Sequence, residues 1–300
     1  MSENRSWIGV DWGTSNLRAW VFDHNNRVLS TLTSDKGMGQ LDPDLFEPVL
    51  LDLIADHLRP QGDISVLCCG MVGAKQGWQE APYIAVPCPP ADASNALSVS
   101  TRDASIHVSI LPGLSQNAPA DVMRGEETQI AGFLAQNPDF DGTICLPGTH
   151  SKWVQISAGE VVSFRTFLTG DLFAAISENT VLRHSNANGD NPNAFLKGVG
   201  MGLSEPELLL SRLFQLRAEG LLNGLSDVAA TERLSGYLIG WELAGARHYW
   251  LGTRVSLIGA SGLVDRYKQA FETQGIMAET ATGDEMVIQG LIAARAAMKS

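Results

Sequence analysis

This sequence predicts an α/β protein of two structurally similar halves, each opening as a β-meander and continuing into helices. Two observations carry the prediction. "IGVDWGTSNLRAWVFD" (8–23) sets two strand-forming runs on either side of Gly13-Thr14-Ser15. "GTICLPGTHSKWVQI" (142–156) then repeats the pattern of strand, glycine-hydroxyl turn and strand. The two turns, at Gly13 and Gly148, lie 148 − 13 = 135 positions apart, far too long for a solenoid period.

The elements follow in order. After the first hairpin, "DHNN" signals a turn, and "RVLSTLTS" (27–34) adds a third strand. "DPDLFEPVLLDLIADHLRP" (42–60) has apolar residues at helical spacing and ends at Pro60. "ISVLCCG" (64–70) reads as a buried strand running into a glycine turn, and the Pro-, Ala- and Ser-rich residues 81–105 read as loop. "IHVSILPG" (106–113) is a strand and "RGEETQIAGFLAQ" (124–136) a helix. In the second half, "GEVVSFRTF" (159–167) extends the meander; 205–222 and 231–250 are helical. "RVSLIGASGLVDRYKQAF" (254–271) reads as strand, glycine turn and helix, with a closing helix over 284–298.

Composition narrows the function. Three hundred residues, 44% apolar and 18% charged, are those of a globular protein, long enough for one large domain or two ordinary ones. No uncharged apolar run approaches the ~20 residues that cross a bilayer, so no membrane partner is expected. Glu3, Arg5 and Asp11 do not read as a signal peptide. A formal charge of −12 argues against a nucleic-acid partner but not against an anionic substrate held by local cations. Cys68, Cys69, Cys88 and Cys145 show no C-x-x-C or zinc spacing and read as reduced thiols of a cytoplasmic protein.

The glycine turns suggest phosphate. Glycine lets the backbone approach an anion closely, while Thr and Ser hydroxyls and exposed N–H groups donate to its oxygens. Asp11, ending the first strand, could hold Mg²⁺ through water. Either hairpin could equally be an ordinary turn whose hydroxyls cap their own backbone. No G-x-x-x-x-G-K-[ST], G-x-S-x-G or H-E-x-x-H is present, and "GVGMG" (198–202) reads as a flexible loop.

Asp11-x-Gly13-Thr14-Ser15, the second hairpin and the late "LIGASGL" resemble the three parts of the actin-like ATPase and sugar-kinase superfamily. "GVDWGTSNLRAW", "CGMVGAKQGW", "DVMRGEETQ", "LPGTHSKWV", "FRTFLTGDLF" and "SGYLIGWE" more specifically resemble the 2-dehydro-3-deoxygalactonokinase family, over nearly the whole chain. The resemblance implies a two-domain actin-like (ribonuclease H-like) fold, each domain a mixed sheet flanked by helices, with ATP between the domains. The expected division is 1–138 and 139–283, with 284–300 packing back on the first. The implied reaction moves the γ-phosphoryl group of ATP, with Mg²⁺, to the 6-hydroxyl of 2-dehydro-3-deoxy-D-galactonate. A homodimer is allowed for. An actin-like regulatory protein and an exopolyphosphatase-type phosphatase remain as alternatives.

Under this resemblance Gly13, Thr14, Ser15, Gly148, Thr149 and Ser151 are the phosphate clamps. Gly259, Ala260 and Gly262 would lie against the adenosine. Lys152 is either a phosphate ligand or an exposed strand residue, and His150 a structural hydrogen bonder. For the base that takes the hydroxyl proton, Asp121 (by the hexokinase pattern, opening the helix) and Glu127 (by the exopolyphosphatase pattern) stand level, with Glu126 behind them. Arg18, Lys36, Gly37, Lys75, Arg124 and the "GMVG" turn (Gly70, Met71, Gly73) are candidates to hold the substrate carboxylate. The chain departs from the superfamily at "LPG" (146–148), where an acid often opens the second clamp, which leaves Asp11 as the metal candidate.

Overall fold

The computed structural model describes residues 5–58 and 63–298, so Glu3 and Pro60 lie outside the described residues. The chain divides into a first unit, Met1–Phe140 with Ser157–Ser163 and Gly283–Ser300, and a second, Asp141–Ile156 with Phe164–Thr282.

The first unit is built on β1 (Arg5–Trp12), β2 (Leu17–Asp23), β3 (Val28–Ser34), α1 (Phe46–Ile54), β4 (Ile64–Gly70), β5 (Tyr83–Ala85), β6 (Leu97–Val99), β7 (Ile106–Ile110), β8 (Gly113–Asn117), β9 (Ala120–Met123) and α2 (Glu126–Gln136). Its main sheet has the order β3-β2-β1-β4-β7-β6, and β5-β8-β9 form a small second sheet. The meander pairs antiparallel, Asp11 opposite Arg18, whereas β4 and β7 join in parallel, Asp11 beside Cys69 and Trp12 beside Gly70.

One face of the sheet buries Ile8, Val10, Val21, Val66 and Ile110 against Phe46, Val49, Leu50 and Ile54 of α1. The i, i+3, i+4, i+8 spacing of those α1 residues is what puts them on one side of a helix. On the other face Trp7 stacks on Phe22 at 4.1 Å, and Val287, Leu291 and Ala294 pack there.

Those last three belong to α9 (Gly283–Ala297), the final helix, which also crosses α2 at close range. A Cβ on Gly132 of α2 would stand 1.9 Å from Met286 O, and one on Gly290 1.9 Å from Thr128 O. Only residues without side chains let the two backbones meet so closely.

The second unit contains β10 (Gly142–Leu146), β11 (Ser151–Ser157) up to Ile156, β12 (Glu160–Phe167) from Phe164, α3 (Thr169–Asn179), α4 (Pro192–Ser204), α5 (Leu209–Asn223), α6 (Asp227–Gly245), α7 (Arg247–Trp250), β13 (Val255–Gly259), α8 (Ser261–Glu272) and β14 (Glu279–Thr282). Its sheet order is β12-β11-β10-β13-β14, with β10–β11 antiparallel and β10–β13 and β13–β14 parallel. This repeats the β3-β2-β1-β4-β7 arrangement of the first unit strand for strand.

Four expectations are corrected. Residues 81–105 contain two strands, β5 and β6, each three residues long and too short to show alternation. "GVGMG" is helix, inside α4, because Gly198 and Gly202 meet Gly236 and Gly240 of α6 where the backbones nearly touch. The helix expected over 124–136 begins at Glu126, and Asp121 lies on β9 rather than opening it. The helix over 42–60 is α1 flanked by single 3₁₀ turns at 43–45 and 55–57.

Candidate functional site

In the first unit the candidate residues collect where parallel β1 and β4 end, the edge at which α/β sheets present ligands. The first glycine turn is held there by backbone. Gly13 N–H donates to Asn16 O at 2.9 Å, while Met38 and Gly39 N–H donate to Gly13 O and Thr14 O, both at 2.9 Å. Trp12 Nε1 anchors the bracing segment through Lys36 O at 3.0 Å. A Cβ on Gly37 would stand 2.3 Å from Ser15 C, so this close approach requires glycine. Thr14 and Ser15 themselves remain exposed.

Asp11 points along the same edge. Its Oδ2 accepts from Arg18 Nη2 at 2.5 Å, and Arg18 is also paired with Asp284 of α9. Its Oδ1 faces the Cys69 thiol at 3.9 Å, and a Cβ on Gly70 would stand 3.1 Å from it. Gly70 is in the left-handed region, φ 88°, where a Cβ would press on Trp12 O at 2.8 Å. Gly125, φ 108°, abuts Gly70 and turns the chain into α2.

That turn delivers Glu127 into the protein interior, 1% exposed. Its Oε2 accepts from Gly125 N–H at 2.6 Å and its Oε1 from Thr128 Oγ1 at 3.0 Å. Burial, reinforced by the neighbouring Glu126 charge, pushes the Glu127 carboxyl up from 4.5 to about 8 despite those donors. Glu126 is half-buried and accepts from Arg124 N–H at 3.1 Å. Asp121 accepts from Val122 N–H at 2.8 Å.

Arg124 is buried, its guanidinium over the Tyr83 ring at 4.2 Å and donating to Ala81 O at 2.8 Å, with Gly73 against its Nη1. Met71 is half-buried and Lys36 and Lys75 are exposed. The structure therefore gathers Asp11, Gly70, Gly125 and Glu127 closely, and Gly73 with Arg124, while Lys36 and Lys75 point to solvent.

In the second unit the glycine turn at 147–150 meets the start of α3. Asp171 N–H donates to Thr149 O at 3.0 Å, and a Cβ on Gly170 would lie 2.5 Å from Gly148 O. Gly148, Thr169 and Gly170 line one side of a cavity of about 310 Å³. Its other walls are Asn188, Thr231, Glu232, Ser235, Arg266 and Tyr267, with Phe173, Leu238, Ile239 and Leu263 supplying apolar surface. Arg266 meets Glu232 through two parallel bonds, 2.6 and 2.8 Å, and lies over the Phe195 ring at 5.1 Å. Such a fork is held more rigidly than any lysine pair.

Behind the cavity is a buried hydrogen-bond chain. Ser151 Oγ lies 3.0 Å from Tyr267 Oη, which donates to Glu242 Oε2 at 2.7 Å; Trp153 Nε1 donates to Glu242 Oε1 at 2.8 Å. Burial raises both Glu242 and Tyr267 above their ordinary values. Glu242 also lines a second, more apolar cavity of about 480 Å³, so the Tyr267–Glu242 bond joins the walls of both.

Ser151 is fully buried with its hydroxyl engaged in this chain, whereas Thr149 is exposed at the turn. Lys152, for which an exposed strand position was the alternative, is buried with Nζ 2.9 Å from Thr166 Oγ1. His150 Nε2 lies 3.7 Å from Asp171 Oδ2. Gly259 ends β13, Ala260 precedes α8 and Gly262 is exposed in its first turn; the cavity is lined from Leu263 onward.

The sequence reading missed Thr169, Gly170, Asn188, Glu232 and Arg266. Only Thr169-Gly170-Asp171 carries a local sign, an acid in the first turn of a helix. Among the described residues no three His, Cys, Asp or Glu side chains group as a metal site, and no helix is long and apolar enough to cross a membrane.

Comparison with known proteins identifies the family. The family described as 2-keto-3-deoxy-galactonokinase matches residues 11–294. A relative from Rhizobium meliloti, named a probable 2-dehydro-3-deoxygalactonokinase, is 39% identical over 97% of both chains. The 2-dehydro-3-deoxygalactonokinase of Escherichia coli is 32% identical, covering 95% of this chain and 96% of its own. A crystal structure from Sinorhizobium meliloti given the same kinase description superposes with TM-score 0.89 at 38% identity, over 97% of this chain and 96% of that one. At 9% identity, xylulose kinase from Lactobacillus acidophilus still superposes with TM-score 0.51 over 97% of this chain and 89% of that one, which shows the shared actin-like fold. The regulatory and phosphatase readings give way to this match: the chain belongs to the 2-keto-3-deoxy-galactonokinase family and is an ATP-using carbohydrate kinase.

Proposed function

We propose that the protein phosphorylates 2-dehydro-3-deoxy-D-galactonate at its 6-hydroxyl in galactonate breakdown, with Glu127 as the base. The observation that supports this most is the Glu127 carboxyl itself: buried, oriented by Gly125 N–H and Thr128 Oγ1, and held near pH 8 at the opening of α2. A group with that affinity takes a hydroxyl proton readily as the oxygen becomes bonded to phosphorus. The sugar oxygen attacks the γ-phosphorus, the bond from that phosphorus to the β–γ bridging oxygen breaks, and ADP leaves with the electron pair. Asp121 remains a second candidate, but its strand position and its bond to Val122 N–H favour it less.

The exposed Thr14 and Ser15 of the first turn, and Gly148 and Thr149 of the second with the first turn of α3, are assigned to the phosphates. Helix N-terminal N–H groups favour such anions. The cavity bounded by Glu232 and Arg266 is assigned to the nucleoside. Arg18, Lys36 and Lys75 offer cationic donors for the substrate carboxylate, and Arg124 braces the "GMVG" turn.

Asp11 suits Mg²⁺ as a single carboxylate acting through water, because Oδ2 is engaged by Arg18 while the partner of Oδ1 is the weak-donor Cys69 thiol at 3.9 Å. Mg²⁺ accepts such a site, since it keeps most of its waters and takes phosphate oxygens, whose charge it neutralises. Four free, buried cysteines accord with the reducing cytoplasm. Coupled ADP release over a panel of 3-deoxy-2-keto hexonates, both C4 epimers included, tests the reading. Mg²⁺-dependent turnover of the galacto epimer is expected; ADP release indifferent to the acceptor overturns it.

A further inference from the structure

We infer that the outward face of α5 is the seam of a twofold dimer of this chain, a property beyond the kinase reaction. The helix buries Leu209, Arg212 and Leu216 and turns Leu210, Phe214, Leu221 and Leu222 to solvent. Those four are 82%, 66%, 66% and 81% exposed. Together they leave roughly 500 Å² of apolar surface on one helix, within the range of the largest patch on a typical monomer and well over half of the ~800 Å² each partner of a standard interface buries.

The pattern within the patch points to a second copy rather than to an unrelated partner. Leu210, Phe214, Arg217 and Leu221 follow one another at spacings of 4, 3 and 4, the alternation of a two-helix seam. Laid antiparallel on its own copy, this series matches itself: Leu210 meets Leu221 and Phe214 meets Arg217, because each pair sums to 431. An apolar layer therefore stands at each end of the seam. In the middle, two guanidinium groups stand over two phenyl rings, a contact that is favourable once water is excluded. Such self-matching is what an isologous interface requires.

Charge agrees. The chain carries 33 acids against 21 lysines and arginines, so two copies repel in general. Yet the solvent-facing positions 210, 211, 214, 215, 217, 218, 221 and 222 are Leu, Ser, Phe, Gln, Arg, Ala, Leu and Leu, without one carboxylate. Glu219, to the side, is held by Arg233 at 2.6 Å. The acids are absent where a second acidic molecule would have to approach.

Sedimentation and cross-linking of the full-length protein test this. Wild type is expected to sediment as a dimer at micromolar concentration, and Phe214→Glu to weaken the dimer at least 100-fold with kinase activity retained, since the ring touches solvent in the monomer. The native thiols are all buried, so introduced cysteines report alone. Oxidising a mixture of Leu210→Cys and Leu221→Cys chains should give the mixed disulfide, whereas Leu210→Cys by itself should not, its two copies standing ~16 Å apart along the seam. A monomeric wild type, an undiminished Phe214→Glu dimer, or equal cross-linking of Leu210→Cys alone overturns the inference.

Discussion

Replacing Glu127 by Gln removes one titration from the first unit, and its effect on stability can be worked out in advance. The carboxyl is raised from 4.5 to about 8 by folding, so the folded state holds the proton more tightly than the unfolded chain. The sign is therefore opposite to that of a salt-bridged acid. The contribution is fully favourable below pH 4.5 and declines as pH rises, levelling off above about 8. At about 1.4 kcal/mol per pH unit the whole decline is about 5 kcal/mol, of which about 3 kcal/mol falls between pH 5.5 and 8.5. Glutamine keeps the shape and cannot ionise, so the variant lacks this slope. Hydrogen exchange of peptides from β4 and α2, compared between variant and wild type at each pH, reads the difference locally. The variant should gain about 3 kcal/mol on wild type across that interval. A constant difference would mean that Glu127 is already ionised in the folded protein, balanced by Gly125 N–H and Thr128, and the argument from burial would fail.

The same group should govern rate: kcat/KM of wild type should rise with pH up to about 8, and Glu127→Gln should abolish turnover while Asp121→Asn retains it, both read by coupled ADP release. Arg266→Ala should raise the KM for ATP more than it lowers kcat, and Arg266→Lys should not restore it, since an ammonium cannot reproduce the two-bond fork to Glu232. Tyr267→Phe leaves the Glu242 carboxylate and the Ser151 hydroxyl each short of a buried partner, which should cost about 1–3 kcal/mol of second-unit stability, visible in the denaturation midpoint. Gly290→Val should destabilise the first unit and lower kcat, because its side chain would enter the backbone of α2 near Thr128 and displace Glu127; near-ultraviolet circular dichroism and turnover report both effects.

Much of this was legible in the residues, for identifiable reasons. Strand-glycine-hydroxyl-strand is a local pattern, so both hairpins, Asp11 beside the first and the acids opening α2 could be read along the chain. Glu126 and Glu127 sit three and four residues beyond Met123, the end of β9, inside the stretch 124–136 that reads as helix. What depended on long-range packing was not legible. Glu232 and Arg266 are 34 positions apart and meet only because α6 and α8 bound the same cavity. Ser151 reads along the chain as a phosphate ligand, and nothing local shows that its hydroxyl also joins a buried chain to Tyr267 and Glu242. "GVGMG" looked flexible because its glycines answer to four-residue-spaced glycines in a distant helix.

The final helix has a further consequence. Because α9 packs on β1 and β4 and locks α2 through Gly132 and Gly290, the first unit takes a structural piece from a segment that follows the whole second unit in sequence. Residues 5–136 can leave the ribosome long before that piece exists, but the second unit's stretch must be synthesised before α2 gains its neighbour. Translation thus keeps Glu127, the proposed base, from its finished setting until residues 283–297 have been made, and a message truncated ahead of codon 283 should yield a folded second unit and no kinase activity.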